Sequence, residues 1–577
     1  MSPSYMKHQT KITGIIASSL MLLLNACSDE SDLRDAAEKG DLAELTQLLQ
    51  DSELDVNKAN ELGYTALHLA VKANQIEVVK KLLEVDGIDV NRMSGNCTPL
   101  RIAVEKNHIE CVKLLIAHGA DVNKANYDDW TPLMYAAEGG HVECLRLLLE
   151  NGACVNHQQE KDKSALTLAC PYWGQERLTW RHVECIKLLL EHGAYPNEIW
   201  AAAIKSQNYE IINLLLKHKA DTNIGLKLAA KQGNIGVVSY MLEKGADLSE
   251  GLWYAASAGK TDVIDFLLEK GANPNEGIRG AARKGNLELV KYMLEKGADP
   301  SVGLLYAAVA GKTDVIDFLL EKGANPNIGI RGAASKGNLE LVKYMLKKGA
   351  DSSEGLWAAA YGGSKQILQY LLSVPGVDVN HTAKYGNTAL ANAAQNGHVE
   401  CVKLLLAHGA DVNKVNNSGT SVIYWAAKGG HAECVKLLIA TPGIDINRAN
   451  KYGETPLYWA IKNKQEECIK LLLAAPCIDV NTMTIDGKTP LIIAAENGYA
   501  QGVQLLLAST GIDVNKADAA GRTPLLYAAK EDHVKCVQQL LNAPGIDVNK
   551  ADNAGKTPLF WCRSQAVIDA LKAAGAQ

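Results

Sequence analysis

The stretch from Asn387 to Asn413, NTALANAAQNGHVECVKLLLAHGADVN, decides the fold because it holds one complete helix-turn-helix unit. Thr388 is placed to cap a first helix that ends at Asn396-Gly397, and a second helix is predicted from about His398 to His408. The second helix is apolar on two flanks, one formed by Val399, Val402, Leu405 and Leu406 and the other by Cys401 and Leu404. Such a helix must lie between neighbours, so we expect similar units to stack on both sides of it into an all-α solenoid.

Related units recur along most of the chain with a regular period. The caps Thr65, Thr98, Thr131 and Ser164 are 33 residues apart, and a second series follows at Thr388, Ser421, Thr455, Thr489, Thr523 and Thr557. Many of these units open with Thr-Pro-Leu, and proline suits the first helical position because its missing N–H would have no partner there. A fixed period of this length indicates a repeat architecture.

The middle of the chain has a shorter rhythm, with glycines spaced by 26 residues at Gly225, Gly251, Gly277, Gly303, Gly329 and Gly355. Within it, Glu250 to Ser301 and Val302 to Ser353 are tandem copies that differ at seven positions. The duplicated segment is therefore a pair of units. The residues missing from each short unit are those that would form the projecting loop of a longer one.

The 33-residue period and the Thr-Pro-Leu openings resemble ankyrin repeats, and the Gly-Ala-Asp-Val-Asn segments resemble the loop of that family that leads into a β-hairpin finger. The resemblance implies an ankyrin-repeat α-solenoid with short β-hairpin fingers in the 33- and 34-residue repeats. We expect such repeats over residues 32–197 and 376–577, with an insertion at 171–181, and 26-residue ankyrin-like repeats over 198–375. The middle block lacks the Thr-Pro-Leu opening.

The first residues have another character. Lys7 and Lys11 precede an apolar run from Ile12 to Leu24 that is too short to span a bilayer, which is typical of an export signal. The ending Leu-Asn-Ala-Cys resembles the lipobox of bacterial lipoproteins, which implies a signal peptide at 1–26, palmitate-type lipidation of Cys27 and a tether at 27–31. An ordinary cleaved signal is the alternative. Ser28 after the cysteine resembles the outer-membrane sorting class, so we expect a lipid-anchored protein of the bacterial envelope that faces the periplasm.

Composition argues against several other functions. The net charge of -6 and the absence of a long basic run give no indication of nucleic-acid binding. Of the 13 cysteines, Cys111, Cys144, Cys185, Cys401, Cys434, Cys468 and Cys536 hold the equivalent position of different units. Stacked helices lie too far apart for bridges between these residues, so we expect free thiols. Free thiols fit poorly with export to an oxidising compartment.

Motifs that could carry chemistry are explained better by the repeat. His-x-x-Cys recurs, as at His108/Cys111 and His398/Cys401, where we expect the residue that starts the second helix and a small buried hydrophobe instead of a metal site. Ala258-Gly259-Lys260-Thr261 lacks the first glycine of a phosphate-binding loop. We therefore expect no enzyme, no metal and no cofactor. The loop from Pro171 to Arg181, with two tryptophans, remains open as a contact site or as a tolerated insertion, and it is the one candidate for catalysis.

One column of aromatic residues lies on the first helices, two residues after the leucine of the Thr-Pro-Leu opening. It comprises Tyr135, Tyr254, Tyr306, Trp425, Trp459, Tyr527 and Trp561, with Ile493 completing the run. In ankyrin repeats the first helix lines the concave groove, so the resemblance implies an aromatic floor that anchors a partner protein. Packing against the following unit as ordinary core is the alternative.

These observations predict a monomeric, lipid-anchored scaffold that binds other proteins through its concave face and has no catalytic activity. Its contact with the membrane would be the lipid anchor alone. The alternative is a secreted bacterial effector with ankyrin repeats that binds host proteins.

Overall fold

The computed structural model describes residues 30–51, 54–159, 163–170, 179–383 and 385–577. The predicted signal peptide and Cys27 lie outside these residues, as do positions 171–178 of the insertion. The chain divides into two compact units, Met1–Ala272 and Asn273–Gln577, and each is described here by itself.

The first compact unit contains paired helices. They are α1 (30–39), α2 (Leu42–Leu48), α3 (Ala66–Lys72), α4 (Ile76–Leu83), α5 (Pro99–Glu105), α6 (Ile109–Ala117), α7 (Pro132–Glu138), α8 (Val142–Glu150), α9 (Ala165–Ala169), α10 (Trp180–Glu191), α11 (Trp200–Lys205), α12 (Tyr209–Lys217), α13 (Thr222–Gln232), α14 (Ile235–Glu243), α15 (Leu248–Ala258) and α16 (Thr261–Glu269), with a 3₁₀ turn at Pro196–Ile199.

The second compact unit continues the same pattern. Its helices are α17 (Pro274–Lys284), α18 (Leu287–Glu295), α19 (Pro300–Ala310), α20 (Thr313–Glu321), α21 (Pro326–Ser335), α22 (Leu339–Lys347), α23 (Ser352–Gly362), α24 (Lys365–Leu372), α25 (Ala389–Gln395), α26 (Val399–Ala407), α27 (Val422–Gly429), α28 (Ala432–Ile439), α29 (Pro456–Lys462), α30 (Glu466–Leu473), α31 (Pro490–Glu496), α32 (Ala500–Leu507), α33 (Pro524–Lys530), α34 (Val534–Leu541), α35 (Pro558–Trp561) and α36 (Gln565–Ala573). Within the described residues, no helix is long and apolar enough to cross a bilayer.

The unit used to predict the fold has the expected local structure. Thr388 caps α25 by accepting a hydrogen bond from the Ala391 N–H at 3.2 Å. In α26, residues from both apolar flanks are buried, because the helix lies between α24 and α28. The buried residues are Cys401, Val402 and Leu405. The all-α prediction is confirmed: within each compact unit, first helices pack on first helices of neighbouring repeats, and second helices on second helices.

The fingers are tight turns. The described residues contain no β-sheet, and isolated bridges occur at only three places, such as Ser94 with Cys97. A typical finger closes with the Asn450 N–H donating to the Glu454 carbonyl at 3.0 Å. Neighbouring fingers are joined by single main-chain bonds, such as that from the Ile485 N–H to the Tyr452 carbonyl at 2.9 Å. The predicted β-hairpins are thus hydrogen-bonded turns that contact one another.

The short units replace the finger by a longer first helix. α19 has 11 residues, whereas α25 has 7. Asp299, which ends the loop before α19, caps that helix directly by accepting from the Ser301 N–H at 2.7 Å. The recurring glycine allows close packing, because a Cβ on Gly303 would lie 2.9 Å from Ile278 Cδ1.

A ladder of side-chain hydrogen bonds joins the loops that follow the second helices. Asn447, for example, accepts from the Asp479 N–H at 2.8 Å and donates to the Cys477 carbonyl at 2.7 Å in the next unit. The same pair of bonds is made by Asn413, Asn481 and Asn515. In the short units the acceptor alternates between asparagine and serine: Asn275, Ser301, Asn327 and Ser353 accept from the N–H groups of Asp299, Asn325, Asp351 and Asp378. Each of these repeats is thereby bonded to the next through its loop.

Candidate functional site

The His-x-x-Cys motifs hold neighbouring units together. Each histidine ring lies within 2.9 to 3.2 Å of a main-chain carbonyl at the end of the first helix of the preceding repeat. The pairs are His108 with Val71, His141 with Glu105, His182 with Glu138, His398 with Tyr361, His431 with Gln395, and His533 with Glu496. The motif cysteines are buried, and burial raises the pKa of Cys401 to about 11. Among the described residues, no group of three His, Cys, Asp or Glu side chains is placed to hold a metal ion.

The residues of the aromatic column have different surroundings along the chain. Tyr135 and Tyr254 belong to the first compact unit, where each is half-buried beside a basic side chain. Arg101 lies over the Tyr135 ring with 4.5 Å to the ring centre, and Lys227 lies over Tyr254 at 4.8 Å. Tyr306, in the second unit, is half-buried beside Arg279 at 5.6 Å. Each of these three rings therefore lies beside a basic side chain of the preceding repeat.

At the other end of the column, the aromatic side chains support the fingers. Tyr527 is only 4% exposed, and its hydroxyl donates to Asp518 Oδ2 in the preceding finger at 2.8 Å. Trp561 is half-buried, and its Nε1–H donates to Asp552 Oδ2 at 3.2 Å. For Tyr527 the structure favours the core alternative, because its ring is covered by its own chain and offers little area to a partner.

Trp425 and Trp459 are brought together with Tyr424 in the second compact unit. The Tyr424 ring centre lies 5.5 Å from that of Trp425 and 6.0 Å from that of Trp459, and both pairs meet edge to face. Trp459 also contacts Tyr458, and its Nε1–H donates to Glu454 Oε2 at 3.0 Å. This aromatic cluster is half-buried at its two tryptophans, so part of each indole faces solvent.

A groove of about 690 Å³ lies over this cluster. Fingertip tyrosines border it, with Tyr385 70% exposed and Tyr452 48% exposed. The intervening fingertip carries the small residue Ser418, which leaves a gap between the two tyrosines. We call this site the aromatic groove, and its lining residues are Tyr385, Asn387, Asn416, Ser418, Thr420, Tyr424, Trp425, Asn450, Tyr452, Glu454 and Trp459.

Charge is unevenly distributed around the aromatic groove. Among the described residues, Glu454 is the one charged residue that lines it, and Oε2 of its carboxylate accepts from Trp459 and from Asn450 Nδ2 at 2.9 Å. Burial and the nearby Glu454 carboxylate raise the pKa of Tyr424 above its ordinary value and that of Tyr458 to about 12. Both phenols are therefore neutral donors at physiological pH.

Two residues of the predicted column, Trp425 and Trp459, line the groove, whereas the residues of its rim were not predicted. Tyr385 and Tyr452 lie on fingers, outside the first helices that carry the predicted column. A signal was present, since Lys-Tyr-Gly occurs at both fingertips, at 384–386 and 451–453. The polar wall formed by Asn416 and Glu454 was missed for the same reason.

A family model described as ankyrin repeats (3 copies) matches nearly the whole described chain. The matched segments are residues 33–126, 122–199, 199–278, 252–330, 279–354, 330–416, 356–450, 423–518 and 515–576. The chain belongs to the ankyrin repeat family. The matches extend through the short repeats, which lack the Thr-Pro-Leu opening. Ankyrin repeat proteins are generally non-catalytic scaffolds that bind protein partners, and the comparisons return no enzyme family.

Three solved structures of ankyrin repeat proteins are similar to parts of this chain, each at 28% identity. The ankyrin repeat domain of Bcl-3, described as a unique member of the IkappaB family, aligns over 38% of this chain and 97% of that one, with a TM-score of 0.36. The human ASB11 ankyrin repeat domain covers 38% and 98%, with a TM-score of 0.34. The ankyrin repeat protein EF0377 covers 33% and 98%, with a TM-score of 0.32. No curated protein matches the chain.

Proposed function

We propose that this ankyrin repeat protein is a non-catalytic scaffold that captures a partner protein in the aromatic groove. The observation that carries the proposal is the half-exposed pair Trp425 and Trp459 beneath the Tyr385 and Tyr452 rim. Tryptophan and tyrosine side chains dominate binding energy at protein interfaces, because they offer large contact areas with few rotatable bonds. Packing between repeats holds these rings in place before binding, which lowers the entropic cost of association.

The proposal is tested by placing a photo-crosslinking side chain at Ser418, between the two rim tyrosines, and irradiating the full chain in a lysate of its source cells. Trp425→Ala and Trp459→Ala should each weaken capture of the crosslinked protein at least about tenfold, the effect typical of an interface hot spot. Trp561→Ala is the matched control, because it removes a column residue outside the groove. It should leave capture unchanged.

Circular dichroism distinguishes binding from folding. If the groove variants keep the helical spectrum and melt of the wild type while capture falls, the rings act in binding. A loss of helical signal in either variant would show that the indoles are core residues of the repeats. Undiminished capture by folded variants would refute the proposal.

We propose further that the scaffold is held by lipid at Cys27 on a bacterial envelope membrane, facing the periplasm, and that it works as a monomer. The lipobox-like Leu-Asn-Ala-Cys ending supports this, although these residues lie outside the described part of the chain. Palmitate should label the wild type and not Cys27→Ala, and the labelled protein should fractionate with outer membranes. Label on both forms, or on neither, would refute the anchor.

The free thiols favour a second candidate. All twelve cysteines of the described residues are unbridged, which suits the reducing interior of a cell better than an oxidising periplasm. The rival proposal is a bacterial effector that is delivered into a host cell and binds host proteins there. Mass spectrometry of the mature protein separates the two, because an intact N-terminus with reduced thiols would support the effector and exclude the lipoprotein.

A further inference from the structure

Glu454, which closes a finger, joins the floor of the aromatic groove to its rim. Oε2 of its carboxylate accepts from the Trp459 Nε1–H at 3.0 Å and from Asn450 Nδ2 at 2.9 Å. The other polar atom of that amide, Asn450 Oδ1, accepts from the Tyr452 N–H at 2.9 Å and from the Glu454 N–H at 3.1 Å. Two side chains thus connect the indole of the floor to the main chain of a rim tyrosine.

The second tryptophan of the floor has no such bond. Among the described residues, the Trp425 Nε1 atom is buried and has no hydrogen-bond partner. The sequence gives the reason, because the finger of this repeat ends in Thr420 where the next finger ends in Glu454. The two indoles therefore differ: Trp459 is bonded to its own finger, whereas Trp425 is not.

The remaining contacts of the Trp459 ring do not select one orientation. Tyr424 and Tyr458 meet it edge to face, each with 6.0 Å between ring centres. Lys428 and Lys462 lie over it with Nζ at 4.2 and 4.5 Å from the ring centre, and neither is among the residues that line the groove. Turning the indole over about its Cβ–Cγ bond leaves a ring face beside each of these flexible lysines but moves Nε1 away from the carboxylate.

The bond to the carboxylate is therefore the contact that fixes the ring. A hydrogen bond to an ionised acceptor is roughly twice as strong as one between neutral groups. The last repeat has the same device outside the groove, since Asp552 Oδ2 accepts from the Trp561 Nε1–H at 3.2 Å. In the groove the device acts on an exposed binding surface, where a ring that is already fixed loses less freedom when a partner binds.

From this arrangement, and resting on the proposed function, we infer that Glu454 is a positioning residue of the aromatic groove. Its carboxylate holds the Trp459 indole in the orientation in which the partner meets it, and Asn450 keeps the carboxylate aligned with the Tyr452 finger. Glu454 thus acts on the partner through Trp459 and not by contacting it.

The indole N–H signals of the full chain test the orientation directly. With ¹⁵N-labelled tryptophan, each of the nine tryptophans gives one such signal in a correlation spectrum, and Trp459→Phe assigns that of Trp459. Glu454→Ala should shift this signal and speed its exchange with water about fivefold, because the N–H loses its acceptor. Glu454→Gln keeps an oxygen acceptor and should restore exchange to within about twofold of the wild type. Asp552→Ala is the matched control, because it removes the equivalent acceptor of Trp561 and should leave the Trp459 signal unchanged.

Capture of the protein crosslinked at Ser418 measures the effect on binding. Glu454→Ala should weaken capture about three- to fivefold, less than Trp459→Ala, because the indole remains but is no longer fixed beforehand. Glu454→Gln should rescue capture, and Asp552→Ala should leave it unchanged. Adding Glu454→Ala to Trp459→Ala should weaken capture no further, because Glu454 acts through that ring.

The outcomes separate this inference from the proposed function. An unchanged Trp459 signal or undiminished capture in Glu454→Ala, a further loss in the double variant, or failure of Glu454→Gln to restore capture would overturn the positioning role. So would a loss of helical circular dichroism in Glu454→Ala, because the residue would then be needed for folding. Capture that still depends on Trp425 and Trp459 would support the scaffold in these cases, whereas capture that depends on neither would refute the scaffold itself.

Discussion

Replacing Asn447 by alanine should loosen the bond between two adjacent repeats by a predictable amount. The side chain makes two hydrogen bonds to the next loop, at 2.8 Å to the Asp479 N–H and at 2.7 Å to the Cys477 carbonyl. Each such bond contributes about 1 kcal/mol net, so we expect local opening to become about 2 kcal/mol easier. That corresponds to about a thirtyfold loss of protection from hydrogen exchange at the Asp479 amide.

Asn327→Ala is the matched control, because Asn327 makes one such bond, from the Asp351 N–H at 2.7 Å. Its loss should cost about 1 kcal/mol, or about fivefold in protection of the Asp351 amide. Hydrogen exchange read by mass spectrometry is the appropriate assay, because a long array of repeats need not melt as one cooperative unit. Unchanged protection at Asp479, or equal effects of the two substitutions, would refute the claim that the paired bonds join the repeats.

Three further predictions concern buried groups. At pH 8 iodoacetamide should modify the exposed Cys477 and leave Cys468, whose pKa burial raises to about 11, and peptide mapping that finds Cys468 modified in folded protein would contradict this. Burial lowers the pKa of His68 to about 4, so NMR should show this ring titrating below pH 5. Because the unfolded chain protonates the ring more readily, about 3 kcal/mol of the free energy of unfolding, fully present above pH 6.5, is lost as pH falls from 6.5 towards 4. A measured pKa near 6 would show an accessible ring. Gly332→Ala should cost about 1–3 kcal/mol, because its Cβ would lie 2.9 Å from the Leu305 carbonyl oxygen, and unchanged exchange in α21 would argue that the helices can separate without cost.

The repeat pattern was sufficient to predict the helices and the core. A capping threonine such as Thr388 and an apolar flank such as that of Cys401 and Val402 act within one unit and its immediate neighbours, and both behave as expected. The free, buried cysteines of the second helices follow from the same periodicity. The helices and core of each repeat can be predicted from such patterns because every copy packs between two similar neighbours.

The site was harder to predict because it depends on differences between copies. Tyr527 and Trp459 hold the same column position, yet Tyr527 is buried and Trp459 is half-exposed. Lys488, held by Glu496, lies over the Tyr527 ring with 5.1 Å to its centre. The groove likewise needs tyrosine, serine and tyrosine on three successive fingers, an arrangement that no single repeat displays. The fingers are turns and not β-strands, since one or two main-chain bonds close each of them.

The alternation of asparagine and serine in the short repeats bears on how this protein changes length. Ser301 and Ser353 make the same bond to the loop that follows them, so a chain without Val302–Ser353 would bring Ser301 to the place that Ser353 now occupies, opposite Asp378. Every donor would still meet an acceptor at the new junction. Gene duplication or loss in steps of 52 residues would thus lengthen or shorten the protein while leaving its fingered repeats, and the aromatic groove they carry, unaltered.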